Sequence, residues 1–77
     1  MLEVVVATPG EVIFEGKAKS LILPGEQGVF EVLSFHKPII SRLISGRLMV
    51  DDQAFLIRRG IAGINANQAT IIVEEQT

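Results

Sequence analysis

The apolar residues of this chain fall in short runs, each closed by a cluster of Gly, Pro, Asn or Asp, the pattern of many short strands joined by tight turns. Leu2 to Ala7 is almost wholly apolar, interrupted only by Glu3 and closed by Thr8-Pro9-Gly10. Proline presets its own φ and glycine accepts positive φ, so this tripeptide predicts a turn. Glu11 to Glu15 sets acids around Val12, Ile13 and Phe14 and ends at Gly16, so the first two strands are expected to form a hairpin. Lys17 to Leu23 predicts a third strand, Pro24 to Gly28 a loop, and Val29 to Leu33 a further strand. Ser34 to Pro38 is expected to be irregular. Ile39 to Ile44 fits either a strand or a helical turn and is assigned as strand.

The second half is plainer. Arg47 to Val50 and Ala54 to Arg59 alternate on either side of Asp51-Asp52-Gln53, which predicts a hairpin. Gly60 is expected to break the chain before a short strand from Ile61 to Ile64 and a turn from Asn65 to Gln68. Ala69 to Glu74 closes the domain, with Ile71 and Val73 on one face and Thr70 and Ile72 on the other. The expected fold is all-β, a flattened sandwich or barrel of about 8–10 short, mostly antiparallel strands, in one domain over residues 1–77. No strand–helix alternation supports a parallel α/β sheet.

Composition sharpens this. A chain of 77 residues buries only about 60% of its unfolded surface, and with no cysteine it has no disulfide to add stability. What it has is apolar density, at 48% of residues. Val and Ile make up 18 of these, stiff at χ1 and suited to a pleated surface. That richness exceeds what a small β-domain needs for itself, so a face for a partner is expected. The net charge of −2, without long charged runs, gives no electrostatic footprint for nucleic acid. No apolar run approaches the ~20 residues that span a bilayer, and the start lacks a signal-peptide pattern.

Chemistry is sparse. His36 is the single histidine, so neither a nucleophilic triad nor a metal-ligand spacing is formed, and no cofactor is expected. Gly25 to Gly28 lacks the Gly-Lys-Ser/Thr ending and the following helix of a phosphate loop, and Glu26 would repel an anion. His36, beside a proline-fixed bend, reads first as a structural side chain bonded to a nearby carbonyl and second as an interface contact. Arg58-Arg59 and Asp51-Asp52 are candidates for exposed cross-strand pairs, worth about 0.2–1 kcal/mol each.

The order of these features resembles the epsilon subunit of F-type ATP synthases. The likeness rests on Phe14 before Gly16, a strand ending at Gly25, Gly28 with a short apolar strand, and His36-Lys37-Pro38. It continues through Phe55, Gly60, Ile61, Ile64 and Asn67 to Thr70-Ile71-Ile72-Val73. The resemblance implies a non-catalytic β-sandwich at the foot of the rotor, bound to the gamma subunit and resting on the polar loops of the c-ring. The same resemblance implies that it couples proton transport to ATP synthesis and is held peripherally at the cytoplasmic face of the inner (cell) membrane. It further implies that Thr8, His36 and Ser41 face gamma, and that Glu26, Val29, Phe30 and Glu31 belong to the loop lowered onto the c-ring.

The chain departs from that pattern in two places. Val29 stands where an acidic residue is expected beside the loop glycine, and Ser34-Phe35 replaces a Pro-Gly before the histidine. It also stops at Glu74-Glu75-Gln76-Thr77, where the family usually continues into an inhibitory helical hairpin, so inhibition and ATP sensing are not carried over. Two other readings remain: a lipoyl- or biotinyl-type carrier, which needs a lysine at a hairpin tip where Asp51-Asp52-Gln53 has none, and a generic β-sandwich interaction module.

Overall fold

The computed structural model describes residues 1–76. They form eight strands: β1 (Leu2–Ala7), β2 (Val12–Ala18), β3 (Leu21–Gly25), β4 (Gly28–Val32), β5 (His36–Leu43), β6 (Gly46–Val50), β7 (Gln53–Ala66) and β8 (Gln68–Glu75). The order across the sheet is β2-β1-β8-β7-β5-β3-β4, with β6 beside β3 and β7. All neighbours are antiparallel except β1 and β8, which run parallel from Glu3↔Gln68 to Ala7↔Ile72. Residues far apart in that order, Leu2, Val4 and Val6 of β1 and Leu21, Leu23 and Val32 of β3 and β4, nevertheless share one buried cluster. The sheet therefore folds over onto its own inner face, the sandwich that short runs and abundant β-branched residues predicted.

One long strand sets the fold-over. β7 runs unbroken for 14 residues, pairing first with β6 (Val50↔Gln53 to Gly46↔Ile57) and then with β5 (Leu43↔Gly60 to His36↔Ala66). β5 and β6 thus follow one another along a single edge of β7, separated by Ile44 and Ser45. The expectation that Gly60 breaks this strand is overturned. Its role is close approach: a Cβ there would lie 2.6 Å from the Ile72 carbonyl oxygen and 2.9 Å from a Val73 methyl. The irregularity is one step earlier, where the register with β8 slips between Ile57 and Arg59.

Other boundaries also shift, each for a physical reason. The strand expected from Lys17 to Leu23 is divided at Lys19-Ser20, because the amides of both residues are taken by Asp51 Oδ1, at 3.0 and 3.1 Å. Among the described residues Asp51 and Asp52 make no ion pair with Arg58 or Arg59; Arg59 instead pairs with Glu74 across β7 and β8. The loop expected over Pro24 to Gly28 shrinks to Glu26-Gln27, with Gly28 at φ 124 supplying the left-handed turn residue. Only Leu33 to Phe35 lies outside strands where Ser34 to Pro38 was expected to be irregular, since the extended geometry that Pro38 imposes on Lys37 is strand geometry. The open choice at Ile39 to Ile44 resolves as strand.

Candidate partner-binding surfaces

Pairing register brings outward-facing residues from five strands into two rows. One row runs Arg42–Ile61–Ile72–Ala7–Val12, and the next Ile40–Gly63–Thr70–Val5–Glu15. The buried chain neighbours of these positions, such as Ala62, Ile71 and Val6, point the other way into the core. Ile40 is 85% exposed, Val12 56%, Ile61 53% and Ile72 47%, so four large apolar side chains stand together on one face. Isolated exposed apolar residues are ordinary, but aligned neighbours on adjacent strands make a patch.

This face is bounded by charge at one end. Arg59 and Glu74 face each other there, and the hydrogen bond from Arg59 holds the Glu74 carboxyl below its ordinary value, while the same bond raises the guanidinium. Arg42, Arg59, Glu26 and Pro9 rim a shallow depression whose floor includes Ile61 and Ile72.

A second outer face belongs to β4, β3, β6 and the first half of β7. Its rows are Glu31–Ile22–Met49–Ala54, Val29–Pro24 and Arg47–Leu56. Val29 is 72% exposed and Leu56 57%. Phe30 lies on the opposite side of β4, packed against the core, and Gly25 makes room for it: a Cβ at Gly25 would sit 2.8 Å from the ring.

The residues singled out by resemblance do not form one cluster. Thr8 caps the β1–β2 turn, accepting from the amides of Gly10 and Glu11 at 3.2 Å each. His36 opens β5 opposite Ala66, with Nδ1 donating to the Lys37 carbonyl at 2.8 Å, the local bond expected of a structural histidine. Ser41 lies on the same strand, half-buried, and donates to the Arg42 carbonyl at 3.2 Å. Thr8 follows the Ala7–Ile72–Ile61–Arg42 row, whereas His36 lies at the other end of the sheet beside the β7–β8 turn. Of the hairpin residues, Glu26, Val29 and Glu31 are exposed and Phe30 is half-buried. Sequence reasoning missed Ile40, Ile61 and Val12 as surface residues; only cross-strand register reveals that they share a face with Ile72.

Among the described residues there is no group of His, Cys, Asp and Glu arranged to hold a metal. The surfaces define a class first: a β-sandwich whose most developed features are apolar faces suited to other proteins. The chain belongs to the family described as the ATP synthase delta/epsilon chain β-sandwich domain, whose model matches residues 1–77. It is 36% identical to the ATP synthase epsilon chain of Chlorobaculum tepidum, over 91% of this chain and 85% of that one. It is 32% identical to the epsilon chain of Rickettsia typhi, over 95% of this chain and 73% of the other. In three dimensions it is similar to a chain in the Euglena gracilis mitochondrial ATP synthase OSCP/F1/c-ring structure, with TM-score 0.88 and 20% identity over 96% of this chain. A chain of the Tetrahymena thermophila central stalk/c-ring structure matches with TM-score 0.76 and 19% identity. At those identities the structural likeness speaks for the fold, and this chain spans 51% and 63% of the two chains.

Proposed function

We propose that this chain is a non-catalytic central-stalk subunit of a proton-translocating F-type ATP synthase, joining the gamma subunit to the polar loops of the c-ring. The observation that carries the reading is the apolar face of Ile40, Ile61, Ile72 and Val12, in a chain of the epsilon family. A subunit that passes torque must be gripped over a broad, rigid surface, and an interface of about 800 Å² per partner serves that end. A face carried on five hydrogen-bonded strands is rigid in this sense. Thr8, His36 and Ser41 belong to the gamma side of this proposal, and Glu26, Val29, Phe30 and Glu31 to the ring side. The chain would then sit peripherally at the cytoplasmic face of the cell membrane, held there by the complex.

The test is co-purification with the gamma subunit. The unaltered chain is expected to form a stable complex, and Ile61→Asp with Ile72→Asp is expected to abolish it while leaving the circular dichroism spectrum unchanged. A complex indifferent to both substitutions would sink the reading.

A further inference from the structure

β5 has one edge paired with β7 at His36 and from Ile39 to Leu43, and the other nearly bare. β3 meets that second edge only at Gly25↔Leu43, and then turns away at Glu26-Gln27. The direction of the backbone groups follows from one bond: Ile44 donates its N–H to the Pro24 carbonyl at 2.8 Å, so Ile44 faces the β3 side. In a strand, residues two apart turn both N–H and C=O toward the same edge. Arg42 and Ile40 therefore face that side as well, and beside Ile40 β3 is no longer present. The Arg42 carbonyl, still opposite the end of β3, also accepts from the Ser41 hydroxyl at 3.2 Å, so the uncovered stretch begins at Ile40. Pro38, which has no N–H to give, lies in the same strand at the register slip between His36 and Ile39, a place where a strand accepts proline.

The bare edge borders a cleft of about 480 Å³. Ile39, Ile40, Ser41 and Arg42 form one wall and Gly28, Val29 and Phe30 the other, with the Glu26-Gln27 turn also lining it beside Arg42, so Lys37 is the cation farther from that acid. Lys37 and Arg42 stand exposed on either side of Ile40, and neither makes an ion pair among the described residues.

We propose that the open edge of β5 at Ile40 takes an extended segment of the gamma subunit, bearing apolar residues and a carboxylate, as an added β-strand. This rests on the stalk-subunit reading and says how that partner is held. One extended backbone supplies a carbonyl to the Ile40 N–H and an N–H to its carbonyl. An apolar side chain on that segment enters the cleft toward Phe30, and a carboxylate meets Lys37 or Arg42. Backbone pairing of this kind fixes register, which an apolar face alone does not.

Amide hydrogen exchange on the chain, free and bound to purified gamma subunit, tests the proposal. The Ile40 amide is expected to exchange readily in the free chain and at least about tenfold more slowly in the complex. Ile40→Pro removes only an unpaired N–H from the fold, so it is expected to stay folded. It should bind gamma about tenfold more weakly than Ile40→Ala, which keeps the N–H. If gamma binds while the Ile40 amide exchanges as before, or Ile40→Pro binds as well as Ile40→Ala, strand addition is wrong and the stalk reading survives. An unfolded Ile40→Pro chain also counts against it, because the N–H would then be committed within the domain. Failure of gamma to bind the unaltered chain overturns the stalk reading itself.

Discussion

The two hairpins β3–β4 and β6–β7 have the same plan and opposite tips. Each joins its strands through two residues, Glu26-Gln27 in one and Asp51-Asp52 in the other. The β6–β7 tip is tied back into the domain: Asp51 Oδ1 takes the amides of Lys19 and Ser20, and the Asp51 N–H returns to the Ser20 carbonyl at 3.1 Å. Just below it, Phe55 meets Phe14 edge-on, with ring centroids 6.2 Å apart. The Glu26-Gln27 tip has no side-chain tether of this kind among the described residues; the nearest ties are the Ile44 N–H on the Pro24 carbonyl and the Gly25↔Leu43 bridge at its base, and Val29 stands in solvent. A charged tip whose carboxylate is spent inside the fold is structural. An untied tip with an exposed apolar side chain is available to a partner, although its root is as well packed as the other.

That difference can be attacked from the root outward. Leu23 in β3 and Leu48 in β6 are both fully buried. Leu23→Ala and Leu48→Ala are each expected to cost about 2–5 kcal/mol in urea unfolding. A markedly smaller cost for Leu23→Ala would mean that the β3–β4 hairpin is not rooted as described. At the tips the two should part. Asp51→Ala leaves two amides without their acceptor and is expected to lose about 1–2 kcal/mol. Glu26→Ala should stay within about 0.5 kcal/mol of the parent. Equal losses would erase the contrast.

Val29→Lys, opposite in charge to the acid that the family carries there, sharpens the comparison on the functional side. At an exposed position it should leave stability within about 0.5 kcal/mol. In membranes carrying the assembled enzyme it is expected to lower proton-driven ATP synthesis relative to ATP hydrolysis, if this tip rests on the ring as proposed. Unchanged coupling would remove Val29 from that contact.

The smallest effect belongs to Arg59 and Glu74, which lie at neither tip. Because the Glu74 carboxyl titrates below its unfolded value, chiefly through the Arg59 hydrogen bond, its contribution is complete above the unfolded value. It fades as the pH falls through the lower folded value. The melting temperatures of the parent and Glu74→Gln should therefore converge in acid and differ slightly at neutral pH. Added salt should narrow that difference, since both side chains are exposed. A gap that persists in acid would show that the carboxylate charge is not its source.

Much of this architecture was legible beforehand. The limits of β1, the hairpin around Asp51-Asp52 and the alternation of β8 follow from period-two patterning and turn chemistry, which act within a few residues. Ile71 and Val73 are buried and Thr70 and Ile72 exposed, as the alternation predicts. The errors fall where a distant group overrides a local signal. Gly60 reads as a breaker until β8 approaches it. Lys19 and Ser20 read as strand until Asp51, more than thirty residues away, claims their amides. For the surfaces, the excess of apolar residues foretold a sticky face, but not which residues compose it.

The sequence by itself determined an all-β chain of the epsilon family with more apolar side chains than its core requires. These are properties of composition, short-range period and the order of turn residues along the chain. Tertiary structure alone decided that Ile40, Ile61, Ile72 and Val12 lie side by side, that the parallel pair β1–β8 carries the face across the sheet, and that β3 leaves β5 uncovered at Ile40. Each depends on the register between strands distant in sequence. A shift of one residue turns every side chain to the opposite face, so patterning along a single strand cannot specify what stands beside it.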